Sequence, residues 1–441
     1  MSNERIAAFH ALLTPAGQRL LRGLDRAEID TDPLAVATRL RRELATSDAN
    51  ETEEFSGVGA ADLVNAAMTQ ARLRGRARAK FGERAESMYF TTTGVEQATR
   101  ASVARYRAAR LAATLDVGAV PESPHVADLC CGVGADLIAM AEAGLTVTGL
   151  DADPLTAAVA QANIDALDLG DRAHAREADV VGVSPGEWAA VFCDPARRSG
   201  RGRVFDPDDY SPPWQEVVEL AHGAPAACVK VAPGIDHERV PADAGAEWIS
   251  VDGEVKEAAL WFGAAGSDGA GPRATLLSER GGDPVTVSAA PDLDPPPVAS
   301  PGRYLYEPDG AIVRAHLVAE AAAAVEGALL DPAIAYITGD RLIDTALCRV
   351  YEIQEVMPFS GKRLRSALRE RRVGSVTIKK RGSAVDVEKL RRDLKLSGPN
   401  SLVVVLTRIG TRPIALLCSE VTDVELQKGT AQAQEAPHAA G

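Results

Sequence analysis

Apolar positions recur with two periods along the chain, and the change of period divides it. Through about residue 115 they fall three and four apart, as in Pro33–Ala45 and 60–80, with few β-branched runs, which predicts an N-terminal helical region over 1–115. From 116 to 264 short apolar runs alternate with helical stretches. Strands are expected at 126–129, 146–150, 173–178, 189–193, 226–231, 247–251 and 258–262, with helices at 137–143 and 155–167, the order of a doubly wound α/β sheet. The last two strands read as an antiparallel pair. Residues 265–302 are rich in Gly, Pro, Ser and Asp and read as a hairpin, 274–277 with 284–288, followed by a linker. Beyond it, an alanine-rich helix over 315–330 precedes strands at 349–356, 374–380, 402–408 and 413–418, with helices at 362–371 and 387–394. This predicts a small α+β domain over 303–426, and the polar residues 427–441 read as a disordered tail.

Composition narrows the class. The chain has 441 residues, room for several domains, and its 46% hydrophobic and 25% charged content is that of an ordinary globular protein. No apolar run approaches the ~18 residues of a membrane span, and Met1-Ser2-Asn3-Glu4-Arg5 lacks a secretory pattern. Six cysteines without a C-x-x-C spacing point to reduced thiols in the cytoplasm and to no metal site. Nothing in the sequence fixes an oligomeric state. The net charge of −14 opposes non-specific nucleic-acid binding, yet residues 362–395 hold 13 Lys and Arg against 4 Asp and Glu. That local +9 leaves −23 for the rest, so the basic face is a local feature with a polyanionic partner or a solvated face as its alternatives. A second basic stretch, Arg72, Arg74, Arg76, Arg78, Lys80 and Arg84, carries the same pair of readings.

The chemistry gathers at 126–151. A strand runs into Asp128-Leu129-Cys130-Cys131-Gly132-Val133-Gly134, a glycine turn that opens a helix, and the next strand delivers Asp151, 23 residues after Asp128. A dinucleotide fingerprint has a third glycine and no leading acid. Here Gly132 and Gly134 let backbone N–H groups approach a ligand at a helix N-terminus, while Asp128 offers a negative charge and Asp151 suits two ribose hydroxyls. Carboxylates beside a cationic cofactor favour S-adenosylmethionine over a pyrophosphate, so the residues read as a methyltransferase core. Asp179, at the next strand end, is placed for an adenine amino group. Thr93, Glu96 and Gln97 lie in the segment that would close over the methionine end, where a threonine is expected to cap a helix running on through 115. The fourth strand opens into Asp194-Pro195-Ala196-Arg197-Arg198 at the ligand-binding edge of such a sheet. Ser211-Pro212-Pro213-Trp214 reads as a helix start with serine at the cap.

These motifs resemble a known family. With Asp-x-x-Cys-Gly-Val-Gly and Asp151-x-Asp153-Pro154, the cofactor half is similar to the trimethylguanosine synthase group of RNA methyltransferases. The chain from about 85 to 425 resembles bacterial class I methyltransferases with a C-terminal THUMP-like domain. The resemblance implies a Rossmann-like sheet, S-adenosylmethionine bound through Asp128, Cys130, Gly132, Gly134, Asp151 and Asp179, and an RNA substrate. Where the synthase group has Ser-Pro-Pro-Trp, this chain has Asp194-Pro195-Ala196-Arg197, which argues against cap hypermethylation. Methylation of uracil carbon needs a cysteine after the next strand, and Cys228 lies inside it. Base-nitrogen methylation is therefore expected, with Asp194, Pro195 and Arg197 at the reacting centre. Arg198 would bind a flanking phosphate, and Lys379, Lys380 and Arg381 would hold RNA. Methylation of a protein or metabolite, and a non-catalytic binding protein, are the competing readings.

Overall fold

The N-terminal helices are Ser2–Leu13, Pro15–Arg22, Arg26–Thr31, Pro33–Ala45 and Ala60–Phe81, which bury apolar side chains. Phe9, Leu12, Ile29, Leu40, Leu63 and Val64 are fully buried between them. Thr14 and Asp25 cap two of these helices by accepting hydrogen bonds from Gly17 N and Ala27 N. The computed structural model describes residues 2–45, 58–116, 124–197, 210–267, 269 and 271–421, so Arg198 and the expected tail at 427–441 lie outside the described residues. Among the described residues no helix is long and apolar enough to cross a membrane.

The chain divides into two units, Met1–Gly245 with Ala258–Ala270, and Ala246–Glu257 with Gly271–Gly441. In the first, strands β1 (His125–Leu129), β2 (Thr146–Asp151), β3 (Ala173–Glu177), β4 (Ala190–Cys193) and β7 (Ala226–Val231) pair in parallel in the order β7-β4-β1-β2-β3. Between them, β5 (Ala196–Arg197) and β6 (Tyr210–Ser211) form a two-residue antiparallel pair. In the helix Ala135–Glu142 after β1 residues 135–141 are all buried, and all of them but Asp136 are apolar, which is why its sequence shows a run and no stripe. The strand order reverses between β1 and β4, and ligands of open α/β sheets bind at the carboxyl ends of the strands at such a switch. β9 (Glu254–Gly263) pairs antiparallel with β7, and β8 (Gly245–Val251) precedes it through the turn Asp252-Gly253, whose φ values of 50° and 86° suit a two-residue hairpin.

In the second unit the expected hairpin is present as β10 (Pro272–Leu277) and β11 (Val285–Ser288), and β10 also joins β8 in parallel, a long-range pairing that local pattern does not encode. The remaining strands are β12 (Tyr304–Pro308), β13 (Ala328–Asp331), β14 (Ile334–Gly339), β15 (Cys348–Pro358), β16 (Val373–Lys380), β17 (Asn400–Ile409) and β18 (Arg412–Glu420). They form one sheet in the order β13-β14-β12-β15-β18-β17-β16. Helices Gly361–Glu370 and Val387–Leu394 cover one face, burying Leu364, Leu368, Leu390 and Leu394 against Val404 and Leu406; Val403 and Val405 turn to the other face. That alternation is the period of two of a strand covered on both sides.

Three local expectations are corrected. The alanine-rich stretch is not one helix over 315–330. Within it only Val318–Ala324 is helical, set off by the positive φ of His316 and Glu326 from the short helix Gly310–Arg314 before it and from β13 after it. Gly327 lies so close to β14 that a Cβ there would stand 2.5 Å from Ile337 Cγ2. Next, the threonine-capped helix stops at Gln97, and a separate helix spans Ala101–Thr114. Lastly, Ser211 belongs to β6 and Pro213 occupies the cap position of helix Trp214–Gly223, which has no side-chain cap.

Candidate active site

Four carboxylates come to the strand ends of the first unit. Asp128 sits in β1 in register with Gly149 and Phe192, Asp151 ends β2, Asp179 follows β3, and Asp194 follows β4. Between β1 and its helix, Cys130, Gly132 and Gly134 take φ of 61°, 57° and 85°. Only glycine adopts such values without strain, so the two glycines mark where the loop turns, with Gly132 N donating to Asp151 Oδ2 and Gly134 N to Cys131 O. A Cβ at Gly132 would meet nothing within 4 Å: the space over the loop is open for a ligand.

Asp128 is the unusual member. It is fully buried, and neither carboxylate oxygen has a hydrogen-bond partner among the described residues. Burial first, then the charges of Asp136 and Asp194, push its carboxyl well above the usual range. An unpartnered buried acid is costly unless a cation satisfies it. The amino group of S-adenosylmethionine is such a cation, and the open glycine turn beside it fits the same group. Asp151 accepts hydrogen bonds from Gly132 N through Oδ2 and from Asp153 N through Oδ1, both at 3.0 Å. Each oxygen keeps a second lone pair, enough for two ribose hydroxyls. Desolvation nevertheless raises its carboxyl. Asp179 is exposed and accepts from Val181 N at 3.0 Å, closing an Asx turn at the rim.

Sequence reasoning missed what clamps this cleft. Asn163, fully buried on helix Pro154–Ala166, accepts from Tyr89 N at 2.6 Å and donates to Tyr89 O at 3.0 Å and Val133 O at 2.8 Å. It ties the segment before β1 to the glycine loop. Gly94 lies against the same loop, where a Cβ would stand 2.4 Å from Val133 Cγ1. Thr91 supplies the expected threonine cap of helix Thr92–Gln97, and Glu96 pairs with Arg76 at 2.9 Å. Below the loop, Arg107 pairs with Asp136, stacks 4.7 Å over Phe192, and donates to Thr99 Oγ1 at 3.2 Å. No sequence signal distinguishes these residues, because their partners lie 8 to 74 positions away.

Asp194 accepts from Lys230 Nζ through Oδ2 at 2.6 Å, and Lys230 also donates to Thr99 Oγ1 at 3.1 Å. Pro195 is buried beside it, and Arg197 contributes its backbone to β5. The basic residues of the N-terminal region have protein partners. Arg74 donates to Met88 O at 2.9 Å, Arg84 pairs with Glu142 at 2.7 Å, and Lys80 donates to Glu96 O and Ala98 O at 2.6 and 2.7 Å.

In the second unit the three expected RNA contacts divide. Lys379 pairs with Glu307 at 2.8 Å, and Arg381 donates to Ala335 O and lies 5.0 Å over the Tyr336 ring. Lys380 is exposed and donates to Val385 O at 3.0 Å. The two helices on the sheet present Lys362, Arg363, Arg369, Lys389, Arg391 and Arg392 to solvent.

The THUMP domain-like family matches residues 348–420, which span β15 to β18, and a domain family of unknown function matches 5–50. Two Mycobacterium tuberculosis proteins, from strains CDC 1551 and H37Rv, are each 37% identical over 346 residues, covering 77% of this chain and 91% of theirs. Both are named as uncharacterized S-adenosylmethionine-dependent methyltransferases. A crystal structure of a candidate methyltransferase from Porphyromonas gingivalis W83 matches with a TM-score of 0.67 at 21% identity, covering 88% of this chain and 98% of that one, a likeness of fold. With a Rossmann-like sheet, a THUMP-like C-terminal domain and relatives 37% identical over 91% of their length, the chain belongs to the S-adenosylmethionine-dependent methyltransferases.

Proposed function

We propose that this methyltransferase acts on RNA, at a base nitrogen, with an exocyclic amine of guanine or adenine as acceptor. The observation that carries the reading is Asp194. It stands at the carboxyl end of β4 beside the switch point, its Oδ2 is held by Lys230, and its Oδ1 accepts no hydrogen bond among the described residues. A carboxylate oxygen in that position suits an N–H donor. The THUMP-like domain and its exposed basic helices support a polyanionic substrate.

When bound, S-adenosylmethionine supplies a methyl group already activated by the sulfonium. The protein's part is positioning, which alone is worth up to several powers of ten in rate. Asp128 neutralises the cofactor's amino group, Asp151 holds the ribose hydroxyls, Asp179 takes the adenine amine, and the loop of Cys130, Gly132 and Gly134 offers backbone groups. Asp194 Oδ1 and the Pro195 carbonyl hold the acceptor amine with its nitrogen in line with the methyl. The bound cofactor would give up its methyl group and keep the sulfur–methyl electron pair, while Asp194 and Pro195 would hold the nitrogen that accepts it. The proton lost by nitrogen leaves through Asp194 Oδ1 to solvent. Arg197 and Arg198 are assigned to a flanking phosphate, and the basic face of the second unit, Lys380 included, to the rest of the RNA.

The test is labelled S-adenosylmethionine with total RNA, protein and small-molecule fractions from cells lacking the gene, followed by nucleoside mass spectrometry. Label in an N-methylated purine is expected. Label confined to protein or metabolites would refute the reading.

A further inference from the structure

Lys230 is out of place by the ordinary rules of a core strand. β7 is buried at Ala226, Ala227, Cys228, Val229 and Val231, and only Lys230 breaks the run, with its side chain 16% exposed. The ammonium there donates to Asp194 Oδ2 at 2.6 Å and to Thr99 Oγ1 at 3.1 Å. A second ammonium approaches from helix Ala60–Phe81. Lys80 Nζ donates to Ala98 O, one residue from Thr99, at 2.7 Å, and its pKa is pushed down to about 8, by burial first and then by the charge of Lys230. Two cations thus flank residues 98–99 and face the acid assigned to the methyl acceptor. Stability alone does not call for the pair, since replacing both members of a desolvated ion pair by well-packed apolar groups is often neutral or stabilising, whereas removing only one leaves the other charge uncompensated.

We infer that Lys230 is a positioning and specificity-determining residue: it pins Asp194 by Oδ2 so that Oδ1 faces the acceptor, and its charge, with that of Lys80, admits neutral N–H donors and rejects protonated amines. The inference rests on the reading that Asp194 receives the acceptor's N–H, and it adds the chemical class admitted. A nucleobase amine is neutral, with its lone pair delocalised into the ring. A lysine side chain arrives as an ammonium and meets two like charges.

The experiment uses full-length wild type, Lys230→Met, Lys230→Arg and Asp194→Asn. The probes are total RNA from cells lacking the gene, poly-L-lysine, and calorimetry with S-adenosylmethionine. Lys230→Met should lower kcat on RNA about 100-fold, as loss of a preorganised polar group does, with cofactor affinity unchanged. Lys230→Arg should recover most of that loss, because a cation again meets Asp194. Poly-L-lysine should stay unlabelled by wild type. Normal kcat in Lys230→Met alongside an impaired Asp194→Asn overturns the Lys230 assignment alone, and so does loss of cofactor binding in Lys230→Met, which would make the pair structural. Normal kcat in Asp194→Asn overturns the role of Asp194 itself. Labelled poly-L-lysine overturns charge exclusion, and RNA left unlabelled by wild type overturns the nucleobase acceptor.

Discussion

Replacing Asp128 by Asn should make the free protein more stable and the cofactor bind more weakly. Asp128 is fully buried, both oxygens lack partners among the described residues, and Asp136 and Asp194 add like charge. Its folded pKa is therefore raised, and the native state holds an extra proton. For a raised carboxyl, the associated stability is complete below the unfolded value and is lost as pH rises through the folded value. Asn removes that dependence. Near the ordinary carboxylate value, about pH 4, the two proteins should differ little. Above it the variant gains about 1.4 kcal/mol for each pH unit until the folded pKa is passed. At about 2–4 °C per kcal/mol for a unit of this size, calorimetric melts from pH 4 to 8 resolve the effect. Cofactor binding moves oppositely. A cation held by a buried carboxylate is worth about 1.5–3 kcal/mol, so the variant should bind S-adenosylmethionine about ten- to a hundredfold more weakly. In wild type that affinity should increase with pH over the same window. Parallel melting curves at every pH, or equal affinities, would refute the account of Asp128 as the cofactor's counter-ion.

Asp151→Ala should also weaken S-adenosylmethionine about ten- to a hundredfold by calorimetry, and unchanged affinity would remove it from the ribose site. Gly94→Val should lower both cofactor affinity and Tm, because its Cβ would stand 2.4 Å from Val133 Cγ1 and lift helix Thr92–Gln97 off the glycine loop. Changing Lys362, Arg363, Lys389 and Arg392 together to Gln should flatten the log–log salt dependence of RNA binding by about 0.7 per lost phosphate contact and spare cofactor binding. An unchanged slope places the RNA elsewhere. Changing Lys379 and Arg381 to Ala should lower the Tm of the C-terminal unit, since they hold Glu307 and Ala335 O.

Local pattern alone determined a good deal. The alternation of strand and helix from β1 to β4, the glycine loop, and Asp128 and Asp151 were legible because each depends on residues adjacent in sequence: a glycine where φ must be positive, an acid at a strand end. The order from β15 to β18 was legible for the same reason, period two interrupted by helical stretches. Strands β12 to β14 were not. Alanine favours a helix intrinsically, and the positive φ of Glu326 with the close approach of Gly327 to Ile337 marks its end before β13. The site's supports were equally hidden. Asn163 reaches Tyr89 across 74 positions, and Lys230 reaches Thr99 across 131. An asparagine or lysine in an apolar stretch carries no address for its partner. The tertiary structure supplies it, turning Lys230 from an anomaly in a core strand into the group that orients Asp194.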